Sequence, residues 1–220
     1  MKKGMFFSAI VIIAILLTAV VPVQAQMGKM KTDDKIIFKT ASANKLKTNL
    51  RTLWEDHAMY TRNVILNIID DLPGINESVA HLLQNQDDIG NAIKPVYGEE
   101  AGKKLTELLR EHIMIAADLL KAAKVNNQAD FNIANAKWFK NADDISAFLS
   151  FANPKNWSLE DIKKMMHEHL NLTTQEAVAR LKKDYKADIE AFDKTRAELL
   201  EMSDMLATGI IKQFPGKFKN

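Results

Sequence analysis

From Leu46 to Ile210 the apolar residues of this chain recur at three- and four-residue spacing, and no stretch alternates with period two over a strand's length. That periodicity admits amphipathic helices and little else. Scarce punctuation agrees, because 8 Gly and 5 Pro in 220 residues leave few turns for a many-stranded sandwich. The expected class is all-α, an antiparallel bundle of five or six helices.

Six stretches carry the pattern. A first helix begins near Asn44, buries Leu46, Leu50, Leu53, His57, Tyr60, Val64 and Ile68, and stops at Pro73-Gly74. The next uses Val79, Leu82, Leu83, Gln86, Ile89 and Ile93 and ends near Pro95 and Gly98. The third carries Leu105, Leu108, His112, Ile115, Leu119 and Ala122 up to Asn126-Asn127. The fourth runs over Phe131, Ala134, Trp138, Ile145, Phe148 and Ala152 to Asn153-Pro154. Ser158 with Asp161 opens a short helix burying Leu159, Ile162, Met166 and His169. Thr173-Thr174-Gln175-Glu176 reads as a capping box that starts a last helix of about 40 residues, with Leu181, Tyr185, Ile189, Phe192, Leu199, Leu206 and Ile210 inward. That helix outruns the others and suggests self-association.

The N-terminus speaks to compartment. Lys2-Lys3 precede an apolar run from Met5 to Val21, and Pro22 is followed by Val23-Gln24-Ala25. This is the layout of an export signal cut before Gln26. An uncleaved anchor is the alternative, since the run is nearly long enough to span a bilayer. The expected organisation is a signal peptide over 1–25, a flexible linker over 26–43 and a helical domain over 44–215, lying outside the cytoplasmic membrane.

Composition removes several function classes. Without Lys2 and Lys3, 28 of the 30 basic residues remain against 28 acidic ones, so the exported part is neutral and nucleic acid is not an expected partner. No cysteine is present, which excludes disulfides, thiolate metal sites and cysteine nucleophiles. Phosphate-binding glycine loops, G-x-S-x-G and H-E-x-x-H are missing, so nothing supports an enzyme.

Two segments repeat. Asn85-Gln86-Asp87-Asp88-Ile89 returns 56 positions later as Asn141-Ala142-Asp143-Asp144-Ile145. Leu108-Leu109-Arg110-Glu111-His112-Ile113 is echoed 57 positions later by Met165-Met166-His167-Glu168-His169-Leu170. An internal duplication of a helical hairpin, pairing the second and third helices with the fourth and fifth, accounts for both.

Five histidines are present, and three of them, His57, His112 and His169, fall on the apolar stripes of their helices. A buried imidazole needs partners for its N–H and its lone pair. One expectation is therefore a transition-metal site of His57, His112 and His169, with Asp88 and Asp144 as ligands or outer-shell acceptors. The other is three core histidines bonded to neighbouring Asp, Asn or carbonyl groups. The Glu-x-x-His pairing of di-iron bundles is missing, because Leu53, Trp54, Leu108, Leu109, Met165 and Met166 fill the positions three and four before these histidines. In Met165-Met166-His167-Glu168-His169, neighbouring side chains diverge around the helix, which disfavours a copper site. Trp54, Trp138 and Trp157 could line an inter-helix pocket, although core packing is the default account of them.

Leu53-Trp54-Glu55-Asp56-His57, Thr61-Arg62, Asn85 to Gly90, Ala92-Ile93-Lys94-Pro95, Leu108 to Ile115, Met165 to Thr174 and Gln213-Phe214-Pro215 together resemble a family of exported bacterial all-helical proteins. The resemblance spans residues 50–215. It implies export and a helical bundle, and it brings no activity and no catalytic residues. The expected function is a non-enzymatic binding or envelope-associated protein. The alternatives are a histidine-based metal-binding protein and a small-molecule binder with an inter-helix pocket.

Overall fold

The computed structural model describes residues 38–219. The expected signal peptide and most of the expected linker lie outside the described residues. Among those described, six α-helices follow in order: α1 (Ala41–Ile69), α2 (Ile75–Tyr97), α3 (Glu99–Lys124), α4 (Gln128–Ala152), α5 (Leu159–Leu181) and α6 (Tyr185–Gln213), with a 3₁₀ turn over Pro215–Phe218 and no strand. None of these helices is long and apolar enough to cross a membrane. The all-α bundle expected from the spacing is what forms.

Each helix packs on the next, and α6 packs back on α1, so the six close into a ring. Short connections make successive helices antiparallel. Across the interior α1 also touches α3 and α5. The shared core runs through the ring, with Leu50, Leu105, Ile145, Ile162, Leu199 and Ile210 each at most 5 % exposed. Burying such a side chain stabilises by roughly 1.5–3 kcal/mol, which sets the ring's phase.

Local chemistry sets most ends. Thr40 caps α1 by accepting from Ala43 N–H, four residues ahead of the expected cap at Asn44, and its hydroxyl donates to the Phe218 carbonyl, tying the two ends of the described chain. Asn127 caps α4 and Ser158 caps α5, each accepting a backbone N–H three residues on. Gly98, at φ 89°, lets the chain pass from α2 to α3 with no intervening loop. Further along this pair the backbones come close: a Cβ on Gly90 would stand 1.9 Å from Thr106 Oγ1 and 2.7 Å from the Gly102 carbonyl.

The C-terminal third corrects the sequence reading. Thr173 and Thr174 do not open a helix. They lie inside α5, where their hydroxyls donate back to the carbonyls of His169 and Leu170, a bond that a helix interior tolerates. Glu176 turns to Arg62 instead of capping. The chain breaks at Lys182–Asp184, with Lys183 at φ 59° and Asp184 capping α6 through Ala187 N–H. The last helix therefore has 29 residues, as many as α1, and its supposed excess length disappears. Leu199, Leu206 and Ile210 are buried as expected, with Asp188, Ala191, Thr195, Glu198 and Met202 beside them, whereas Tyr185 and Ile189 near its start are exposed.

The repetition is present with a different phase and one further member. The left-handed residues Asp71, Asn126 and Lys183, 55 and 57 positions apart, each close the turn of a hairpin, α1–α2, α3–α4 and α5–α6. His57, His112 and His169 sit 14 residues before them in all three. The two repeated segments of the sequence belong to these hairpins, whose unit starts one helix earlier than expected.

Candidate functional site

Placing one histidine at the same level on α1, α3 and α5 brings the three to the axis. The ring centroids of His57 and His169 are 6.1 Å apart, and those of His112 and His169 are 6.2 Å apart. All three are buried, and Trp54 packs edge-on to His57 while Trp138 leans on His112. The convergence expected from the stripes is found.

Each imidazole meets a polar group on the second helix of its own hairpin. His112 Nδ1 lies 2.8 Å from Asn141 Oδ1, 29 residues on. The Asn141 amide nitrogen donates to the Leu108 carbonyl and to Glu111, which leaves its oxygen for the ring. His112 therefore carries its proton on Nδ1, and its Nε2 lone pair is buried with no partner. His57 Nδ1 lies 3.1 Å from Gln86 Nε2, again 29 residues on, and that amide also donates to Leu82 and to Asn85. Asn85 itself is anchored on the Leu53 carbonyl. In the third hairpin the place of Asn85 and Asn141 is taken by Glu198, whose Oε2 stands 3.3 Å from His169 Nδ1 without hydrogen-bond alignment.

Burial governs the protonation of this floor. Desolvation, then the neighbouring imidazoles of His169 and His112, pushes His57 down to about 3, against a smaller pull from the Asn85 side chain. His112 is pushed down to about 3 by burial and then by His169, with Asn141 opposing. Both rings are neutral at ordinary pH.

Asp88 and Asp144, expected beside the histidines, are not there. Both are exposed, Asp88 accepting from Gln84 and Asp144 paired with Lys140. On a helix the residue four after Asn85 or Asn141 shares its face, which is why Ile89 and Ile145 are buried and the aspartates before them turn outward. Among the described residues no three His, Asp or Glu side chains are placed to hold a metal ion. The remaining histidines, His81 and His167, lie off the axis, stacked on Tyr60 and paired with Asp143 respectively.

The imidazoles divide the interior into two cavities. One of about 50 Å³ is walled by residues from all six helices, including Leu105, Ile145, Met166 and Met202, with Trp54 and the three histidines at its floor. Trp157 reaches it from the α4–α5 connection, seated on Gly209, where a Cβ would stand 2.1 Å from the indole nitrogen. A second of about 30 Å³ lies on the other side of the same histidines, with Thr61, Thr173 and Trp138 in its wall. Gln86 was placed on the inward stripe, and the residues that sequence reasoning passed over here are Asn141, Asn85 and Glu198. The first two stood in the repeated segment, and the signal was their register, 28 and 29 residues after a stripe histidine.

A second buried polar centre joins α1, α5 and α6. Arg62 donates to Glu176 at 2.7 Å and to both oxygens of Asp188 at 2.8 and 3.1 Å, and its guanidinium lies over the Phe192 ring. Arg180 reaches Asp188 at 3.3 Å and also pairs with Asp70. Burial and the nearby Asp188 push Glu176 up to about 7, with Arg62 and His169 pulling the other way. No sequence motif announced it, because its members come from three helices.

The fold and site define a class: a closed six-helix ring with three buried histidines between two interior cavities. In comparisons with protein families, with curated proteins and with solved structures, the chain matches none.

Proposed function

We propose that this is an exported, non-enzymatic binding protein whose ligand is a small, mostly apolar molecule held on the bundle axis. The observation that carries the reading is the cavity of about 50 Å³ walled by apolar side chains from all six helices beside three buried histidines. Natural cores keep few voids of this size, since an unfilled space forfeits packing contacts and costs stability. A site built for a ligand is repaid when the ligand fills it. The walls are suited to that role: Met166 and Met202 are unbranched and adapt to an irregular guest, while Trp54 and the aliphatic side chains exclude water. The export signal over 1–25 supports an envelope or extracellular setting.

Xenon matches the cavity in size and needs no polar partner, so it tests occupancy directly. Methyl NMR under xenon pressure is expected to shift Met166 and Met202, with a parallel rise in Tm. Filling the space by Leu105→Phe is expected to remove the response. No xenon-dependent shift at either methyl would overturn the reading.

A further inference from the structure

We infer that the end of the bundle where α1 starts and α6 stops is a docking surface for an anionic lipid bilayer, with Phe151 and Leu159 entering the headgroup layer and lysines meeting phosphates around them. Nothing in this inference depends on the interior cavities.

The antiparallel order gathers at this end the start of α1, the α2–α3 junction, the α4–α5 connection and the 3₁₀ turn after α6. Hydrogen bonds lock these pieces together. The Thr40 hydroxyl donates to the Phe218 carbonyl, Lys217 Nζ to the Pro95 carbonyl, and the Tyr97 hydroxyl to Gln213, whose amide donates to the Ala152 carbonyl. Side chains on this end are therefore presented as one fixed surface.

Phe151, on the last turn of α4, is 87 % exposed, more than any other large apolar side chain among the described residues. Leu159 opens α5 across the connection and is also exposed, with Pro154 and Lys155 between them. Exposed apolar side chains alone do not select a partner, because Val125, Tyr185 and Ile189 are exposed at the opposite end. Charge separates the two ends. Residues 38–45, 94–103, 151–161 and 212–219 hold eight lysines against four acidic residues, whereas residues 68–77, 121–130 and 180–190 hold six basic against seven acidic. At the first end Glu99 pairs with Lys94 and Glu100 with Lys103. That leaves Lys39, Lys45, Lys155, Lys212, Lys217 and Lys219, all exposed, over Glu160 and Asp161. Aromatic and aliphatic side chains set among lysines suit the boundary of an anionic bilayer, where apolar groups reach the acyl region and ammonium groups stay with the phosphates. The opposite end, with its acidic excess, would be repelled.

The path of the chain agrees. Everything ahead of residue 38, including the apolar run Met5–Val21, joins the domain at the lysine-rich end and not at the hairpin turns. A membrane that held that run would face the same surface.

Because the chain has no cysteine, one nitroxide label can be placed through Leu159→Cys at this end or Val125→Cys at the other. The full chain is mixed with phosphatidylcholine vesicles with and without phosphatidylglycerol, and the label's accessibility to oxygen, which concentrates in lipid, is compared with that to a water-soluble nickel chelate. The expected result is that the label at position 159 moves to the lipid side only when phosphatidylglycerol is present, while that at position 125 stays aqueous. Adding Lys39→Glu, Lys155→Glu and Lys219→Glu is expected to abolish the immersion, since each lysine near an anionic surface is worth about fivefold in affinity. Phe151→Ser, a change at an exposed position, is expected to weaken it about tenfold. A label at position 159 that stays aqueous while the protein sediments with the vesicles would overturn the inference, the sequence ahead of residue 38 then doing the binding alone. Equal immersion in phosphatidylcholine would overturn it as well, because the lysines would select nothing. Shielding of that label without vesicles, growing with protein concentration, would overturn it in favour of a second copy of the chain.

Discussion

The axis and the cluster around Arg62 are both buried and both polar, yet they resolve burial in opposite ways. On the axis, His57 and His112 give up their charge and keep one proton each, with carboxamides as partners. In the cluster, charge is kept and matched: Arg62 and Arg180 face Asp188 and Asp70, and Glu176 is the one group whose proton burial holds to about 7. With Glu176 protonated, the two cations and two remaining carboxylates cancel. The lesson is that a neutral site can line an apolar cavity, whereas a charged one must be closed by its own partners. The cavities sit against the histidines for that reason.

Acid gives the largest expected break in this contrast. Both imidazoles have folded values near 3, below the ordinary 6.5, so the unfolded chain binds more protons between those limits. Their contribution is fully present above pH 6.5 and is lost as pH falls toward 3, on the order of several kcal/mol in all. Urea titrations at pH 7, 5 and 4 are expected to show falling stability with net proton uptake on unfolding, and His112→Gln is expected to reduce that uptake by about one proton. A profile flat from pH 7 to 4 would remove the neutral-floor account.

Next in size is Arg62→Met. It leaves Asp188 and Glu176 buried with a cation deficit, at a cost of roughly 3–5 kcal/mol by chemical denaturation. A loss under about 1 kcal/mol would show that the cluster is not the charge-matched centre described.

The smallest effect sharpens the comparison. Glu176 has a folded value raised above its ordinary 4.5 to about 7, so the folded chain binds the extra proton and stability falls as pH rises through that window. This slope opposes that of the histidines and is half as steep in protons. Glu176→Gln is expected to abolish it, leaving the acid side governed by His57 and His112, with a change of about 3 kcal/mol at pH 8. An unchanged slope between pH 5 and 7 would assign the titration to another group.

Much of the fold could be read in advance because burial needs only periodicity. Leu50, Leu105, Ile162 and the three stripe histidines were placed inward by spacing alone, Ser158 marked the start of α5, and Asn126-Asn127 marked the break that the structure shows to be the cap of α4. The errors share a cause. Thr173-Thr174-Gln175-Glu176 has the letters of a capping box, yet Arg62 on α1 competes for Glu176 and the helix runs on. Asp88 and Asp144 were chosen for their charge, although their register turned them to solvent.

What the chain's own order of residues determined was helicity and the inward stripes, because these depend on steps of three and four residues along one segment. Only the closed ring decided that Asn141 would orient His112, that Arg62 would bridge α5 and α6, and that a cavity would open over the imidazoles. Those depend on which helix lies beside which, and a hydrogen bond across such a boundary has no period to betray it.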